Sequence, residues 1–384
     1  MFGLRQPIAF VLDRSLLLLG GAVIALVWAN SGPGSYGVFA AAARFAVNDV
    51  AMVFFFALAA KEIVEATRPG GALSSAREAA VPLVAAAGGM LVPALIYTAG
   101  AAATGHVDLL RGWAIPCATD IAFSYLAARL VFPPRHPAIP FLLLLAVADD
   151  ALGLAILGAF YPARHVSTAS WALLMIPALG AAWWLRRRRT RSFWPYVLVA
   201  GAVSWAAFFA GGLHPALALV PIVPFMPCQE RYHELFDEHR PQPSDTLNVF
   251  ARWWRVPVQI VLFFFGLVNA GVPLGSIGPA TWLVAAGLLV GKPAGILAMT
   301  WLAVAAGLGR PGGVTYGDLW IVGITAGIGF TVALFFATAA FPAGAALDQA
   351  KMGALLSFAA APLALAGSRY RTRRRRRASP PPAR

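Results

Sequence analysis

The sequence predicts an all-α polytopic membrane protein with about twelve transmembrane helices. Three observations carry that prediction. Of 384 residues, 59% are hydrophobic and only 12% are charged, about half the charged share of a soluble domain. Apolar segments of roughly 20 residues, each enough to cross a ~30 Å hydrocarbon core as helix, recur along the whole chain. Lys and Arg are also split very unevenly between alternate connections.

Taken in order, the spans read as 12–29, 47–66, 79–100, 111–131, 138–161, 169–185, 193–210, 214–227, 255–272, 280–305, 318–340 and 350–367. The eighth is the shortest. The longest connection, Pro227 to Arg252, is polar and mixed in charge. Residues 1–15 are short, and the apolar run after them is span-length and leads into another, so no cleavable leader is expected. With the N-terminus inside, 25 of the 30 Lys and Arg fall on the cytoplasmic side. Arg44, Arg111, Arg164 and Lys351 fall outside, and Lys292 sits mid-membrane. That bias predicts cytoplasmic termini in a cell (inner) membrane protein. The net charge of +14 is therefore read as orientation and not as a nucleic-acid surface. Residues 1–368 are expected to form one transmembrane domain. Residues 369–384, RYRTRRRRRASPPPAR, are expected to be a disordered basic tail lying on anionic lipid. Cys117 and Cys228 do not suggest a disulfide framework.

A carboxylate at the centre of a membrane helix costs about 2.5–3.5 kcal/mol on insertion scales, and such groups face a protein interior or a water path. Span five, LLLLAVADDALGLAILGAFY, holds two side by side, Asp149 and Asp150. Span four, in AIPCATDIAF, holds Asp120. Span ten, in LLVGKPAGIL, holds Lys292. Spans four and eleven are the helices expected to be interrupted. Pro116 lacks an N–H and disfavours a helical Ile115. Gly323, Gly327 and Gly329 weaken span eleven, where Thr325 and Thr331 can satisfy freed backbone groups. Spans three to five and ten to twelve have opposite topology, each with a broken middle helix. That pattern predicts two inverted repeats around a midplane site.

These motifs resemble the NhaA family of sodium/proton antiporters. The resemblance runs over most of the chain: WANS from Trp28, NDVAMVFFF from Asn48, GGMLVPALIY from Gly88, GWAIPCATDIAF from Gly112 and the Asp149–Asp150 pair. It continues in LHPALA from Leu213, NAGVPL from Asn269, GKPAG from Gly291 and GIGFT from Gly327. It implies exchange of Na+ or Li+ for protons, with discontinuous spans four and eleven crossing at the ion site. Carried over by residue, Asp150 is implied as the principal cation and proton carboxylate. Asp149 is implied as the neighbour that pairs with Lys292. Thr119 and Asp120 are implied at the crossing. The paired aspartates imply an electrogenic ratio of two protons per Na+, serving sodium and pH homeostasis. No cofactor is implied, since the ions are the substrates.

The physics of the residues agrees with those roles. Consecutive helical residues point about 100° apart, so one aspartate can turn to Lys292 while the other faces water. Breaking spans four and eleven aims two positive helix N-termini and two negative C-termini at each other. Asp120 can offset the first pair and Lys292 the second. Na+ is a hard ion that wants oxygen ligands, and Asp150, Asp149 and Thr119 supply them. Proton and Na+ then compete for one carboxylate.

His214 matches a family histidine linked to pH response, and Glu62 and Glu65 lie where the family has acidic residues of a pH-sensing funnel. A packed histidine and a solvated helix end are the plainer readings of these three. Lys61 stands where the family has a glutamate, and FARWWRVPVQI before span nine lacks the family's Glu and His. The resemblance also implies a homodimer, often joined by a β-hairpin, and the short, Ala-rich Ser31–Asn48 link departs from that pattern. An enzyme is not expected. An intramembrane aspartyl protease would carry Gly-x-Gly-Asp, whereas Gly327-Ile328-Gly329 is followed by Phe330. The closer alternative is a Na+-coupled symporter of a small organic anion.

Overall fold

The computed structural model describes residues 16–71, 73–228 and 245–378. Arg5, Arg14, Arg231, Arg240 and the last six residues of the basic tail lie outside the described residues. Among the described residues every regular element is helical. Among the described residues, seven helices are long and apolar enough to cross a membrane. Two further pairs do so together while bending by 57° and 52° at short breaks: Val107–Cys117 with Ile121–Val131, and Tyr316–Ala326 with Phe330–Ala340. Leu16–Ser31 and Tyr196–Ala210 are shorter apolar helices. The chain is an integral, multi-span helical membrane protein.

It divides into two compact units. The first comprises residues 1–79, 150–277 and 334–352. Its elements begin with α1 (Leu16–Ser31), α2 (Pro33–Arg44) and α3 (Met52–Thr67), the last two joined through a π turn at Phe45–Ala51. The Ser31–Asn48 link expected from the sequence is therefore mostly helix. Pro33 opens it, where a missing N–H costs nothing, and the alanines that follow are good helix formers. α7 (Thr168–Arg187), α8 (Ala202–Ala210) and α9 (Thr246–Asn269) also belong to this unit. α9 packs on α1 and α3, and α7 on α8. Polar ties fix these contacts. Asn48 and Asn269 exchange amide hydrogen bonds of 3.0 and 2.8 Å, and the Tyr36 hydroxyl lies 3.0 Å from both Val268 O and Gly271 N.

Several boundaries differ from the sequence reading: the last helix, for one, continues to Ala378, past the expected end of span twelve at 367. α9 starts well before residue 255 because Asp245 caps it, accepting from Asn248 N at 2.8 Å. The eighth span, 214–227, is not a continuous helix but short 3₁₀ turns at Pro215–Leu217 and Val223–Phe225. The cause is HPALALVPIVPFMP itself: Pro215, Pro221, Pro224 and Pro227 remove donors faster than an α-helix can absorb. Ser204 helps satisfy the freed backbone, donating to Ala218 O at 2.6 Å.

The second unit comprises residues 80–149, 278–333 and 353–384. It contains most of α4 (Ala76–Ala103), all of α5 (Ile121–Val131) and the first part of α6 (Ala138–Phe160). α10 (Pro279–Ala286), α11 (Lys292–Ala305), α12 (Tyr316–Ala326) and the start of α13 (Phe330–Ala340) follow. The end of α14 (Ala345–Leu356) and α15 (Ala360–Ala378) close it. α11 packs on α12, and α12 on α5 and α15. Gly88 of α4 and Gly295 of α11 back onto one another's carbonyls, where neither has room for a Cβ. Small residues at such crossings let backbones approach where no hydrophobic effect drives helices together. The division between units falls inside α6, between Asp149 and Asp150.

Candidate ion site at two broken helices

Span four breaks where its sequence says it must. Pro116 ends the first half in a 3₁₀ turn, Ile115–Cys117, and Ala118 is extended at φ −78°, ψ 148°. α5 starts after Asp120, whose carboxylate accepts from Phe123 N at 3.4 Å. Span eleven breaks at Gly327–Gly329, between α12 and α13. There a Cβ on Gly327 would lie 2.5 Å from Leu288 O, and one on Gly329 2.5 Å from Ala118 O. Gly329 is required because the two breaks touch, and Gly327 because the π turn Gly287–Gly291 of span ten lies against it. Asp120 N donates to Ile328 O at 2.7 Å, joining one to the other.

Each orphaned helix end finds a partner. Both N-termini share one carboxylate: Asp120 Oδ2 also accepts from Thr331 N at 3.3 Å and from the Thr331 hydroxyl. The C-terminal carbonyls are divided. Cys117 O, ending the first half of span four, accepts from Lys292 Nζ. Those ending α12 are met by neutral groups, Ser124 Oγ at 2.8 Å from Thr325 O and the Thr119 hydroxyl 3.1 Å from Ala326 O. Lys292 therefore offsets one C-terminus and not both, because the hydroxyls of span four reach the other first.

Asp149 lies in the same unit, 3% exposed. Its Oδ2 is 2.7 Å from Lys292 Nζ and 2.5 Å from the Thr119 hydroxyl. That hydroxyl has one hydrogen and two acceptors, Asp149 and Ala326 O. Asp149 Oδ1 is buried with no hydrogen-bond partner among the described residues. Lys292 is wholly buried and follows a π turn, Gly287–Gly291, just ahead of Pro293, which has no N–H for the helical ladder. A buried ammonium so placed holds a neighbouring carboxylate and a helix C-terminus at once. Asp150, next along α6, is half-buried. The structure thus gathers Thr119, Asp120, Asp149 and Lys292 in one cluster.

The remaining candidates belong to the first unit. Glu65 is buried and accepts from Lys61 Nζ at 2.7 Å, one helical turn away, while Glu62 is exposed. His214 is half-buried, edge-on to Phe335 at 5.6 Å between ring centres, and its Nε2 has no partner among the described residues. Ser124 was missed by sequence reasoning. Its signal was there, a hydroxyl one turn after Asp120 in a half-helix whose first turn is otherwise apolar. Thr325 and Thr331 do not serve the break's backbone as expected. Thr325 returns to Val322 O in its own helix at 2.8 Å, and Thr331 goes to the Asp120 carboxylate.

Comparison with known proteins agrees with this architecture. Residues 12–367 match the family model described as Na+/H+ antiporter 1. The chain is 47% identical to Na(+)/H(+) antiporter NhaA 1 of Pelobacter propionicus over 374 residues, covering 95% of this chain and 98% of that protein. It is 46% identical to Na(+)/H(+) antiporter NhaA of Geobacter metallireducens over 371 residues, covering 94% and 97%. With the NhaA protein of Jannaschia sp. the figures are 45% over 403 residues, covering 93% and 96%. A family match across nearly the whole chain, together with two touching helix breaks around a buried Asp–Lys pair, makes this chain a member of the NhaA Na+/H+ antiporter family.

Proposed function

We propose that the protein exchanges Na+ or Li+ for H+ across the cell membrane, for sodium and pH homeostasis. One observation carries the reading: on α6 a fully buried aspartate neutralised by Lys292 stands next to a half-buried one, beside two helix breaks. A membrane protein tolerates such a group of charges only where they are used or paired. Asp150 is the exchanging carboxylate, taking Na+ or protons in turn. Asp149 and Thr119 lend it oxygens, and Asp120 and Lys292 balance the helix ends. The names of the relatives, Na(+)/H(+) antiporters, support the same ions here.

Twelve spans, the eighth of them an irregular run of short turns and not a helix, with spans three to five and ten to twelve as inverted repeats, form one working domain that opens to one side at a time. Both termini lie in the cytoplasm by the Lys/Arg bias, and the basic tail meets anionic lipid. Two carboxylates allow two protons per Na+, so exchange moves net charge. His214, Glu62 and Glu65 are candidates for pH sensing. The Lys61–Glu65 ion pair gives this chain a different charge balance there from the family's pattern. Homodimer formation is part of the proposal, without the β-hairpin. The organic-anion symporter has no observation in its favour.

The test is Na+-driven dequenching of a pH dye in everted membrane vesicles, with no organic solute present. Exchange is expected in the native protein and absent in Asp150→Asn. Normal exchange in Asp150→Asn would end the assignment of Asp150. Clamping the membrane voltage in proteoliposomes should change the rate, and a voltage-independent rate would rule out the two-proton ratio.

A further inference from the structure

Thr331 is an unusual threonine for a membrane helix. Such hydroxyls ordinarily return to a carbonyl one turn back, as Thr98 does to Ala94 O and Thr300 to Ile296 O. One turn before Thr331 lies the break itself, and Ile328 O already accepts from Asp120 N. Thr331 is 2% exposed and gives both its N–H and its hydroxyl to Asp120 Oδ2. Asp120 is covalently next to Thr119, whose hydroxyl meets Asp149. A continuous chain of contacts therefore runs from the first turn of α13 to the buried aspartate of α6.

We propose that the Thr331 hydroxyl is a positioning group for cation binding. It pins the Asp120 carboxylate astride the N-termini of α5 and α13, so that neither positive helix end repels an arriving cation. It also keeps Thr119 set against Asp149. The inference rests on the exchange reading above and adds to it a residue that touches no ion.

The experiment is Na+-driven proton flux in proteoliposomes, measured as KM and kcat for Na+. The proteins compared are native, Thr331→Val, Thr331→Ser, Asp120→Asn and the Asp120→Asn/Thr331→Val double variant. Thr331→Val keeps the shape and loses the hydroxyl, and KM should rise roughly tenfold, the scale of one hydrogen bond to a charged group. kcat should stay within about twofold, as for a change in binding alone. Thr331→Ser should behave as native. In the Asp120→Asn background Thr331→Val should add nothing, because its only route is through that carboxylate. An unchanged KM in Thr331→Val overturns the proposal. So does equal impairment of the Ser and Val variants, or a full Val effect without the Asp120 charge. Should Thr331→Val fail to assemble, Thr331→Ala against Thr331→Ser makes the same comparison. Absence of exchange in the native protein would instead overturn the antiport reading, a result separate from any of these.

Discussion

The two helix breaks meet, yet they are made of different chemistry. The break in span four is made by a proline and is rich in polar side chains: Thr119, Asp120 and, one turn on, Ser124. The break in span eleven is made by glycines and carries no charge. What it offers is backbone: the carbonyls of Thr325 and Ile328 each take a donor from span four, and that of Ala326 lies against the Thr119 hydroxyl, whose one hydrogen Asp149 also draws on. The break in span four brings the carboxylate for both N-termini, and the break in span eleven brings close approach. A helix end carries roughly half an elementary charge, so a single carboxylate at two N-termini is a near match. The C-termini are balanced less evenly. One receives an ammonium that it shares with Asp149, and the other receives only neutral hydroxyls and an N–H.

That asymmetry can be broken from either side. The largest effect should come from Lys292→Met, which leaves Asp149 and Cys117 O without their cation. Removing one partner of a buried pair costs about 3–5 kcal/mol, and the thermal melting point in detergent should fall accordingly. A melting point equal to native would mean that Lys292 compensates nothing. Gly329→Ala should come next. Its Cβ would meet Ala118 O at 2.5 Å and force the breaks apart, at about 1–3 kcal/mol for overpacking. Melting as native would show that the contact is not tight. Ser124→Ala should be smallest, about 1 kcal/mol for one neutral hydrogen bond. A loss rivalling that of Lys292→Met would contradict the division between a charged and a neutral C-terminus.

Much of this site could be read from residue types alone. Mid-span charges are costly in lipid, so Asp120, Asp149 and Lys292, which the structure brings together, stand out by residue type. Pro116 and the glycines of GIGFT mark where a helix cannot continue. Partnerships were harder to read. Which hydroxyl takes which carbonyl depends on how two breaks lie in contact, and no spacing within either segment encodes that. Ser124 was passed over for this reason, and Thr331 was expected to serve backbone instead of Asp120. The 214–227 segment has the hydropathy of a span, while its prolines forbid a long α-helix. Hydropathy measures transfer to lipid, not the supply of backbone donors. The early start of α9 was hidden for the converse reason: a polar first turn that looks like loop is capped by Asp245.

The central claim is that Na+ and protons occupy the same carboxylate in turn. The most direct test adds Na+ to the purified protein in weakly buffered detergent and records the pH. Competition at one site predicts proton release that saturates with Na+ in the native protein and is lost in Asp150→Asn. Saturable Na+ binding with no proton released would contradict it.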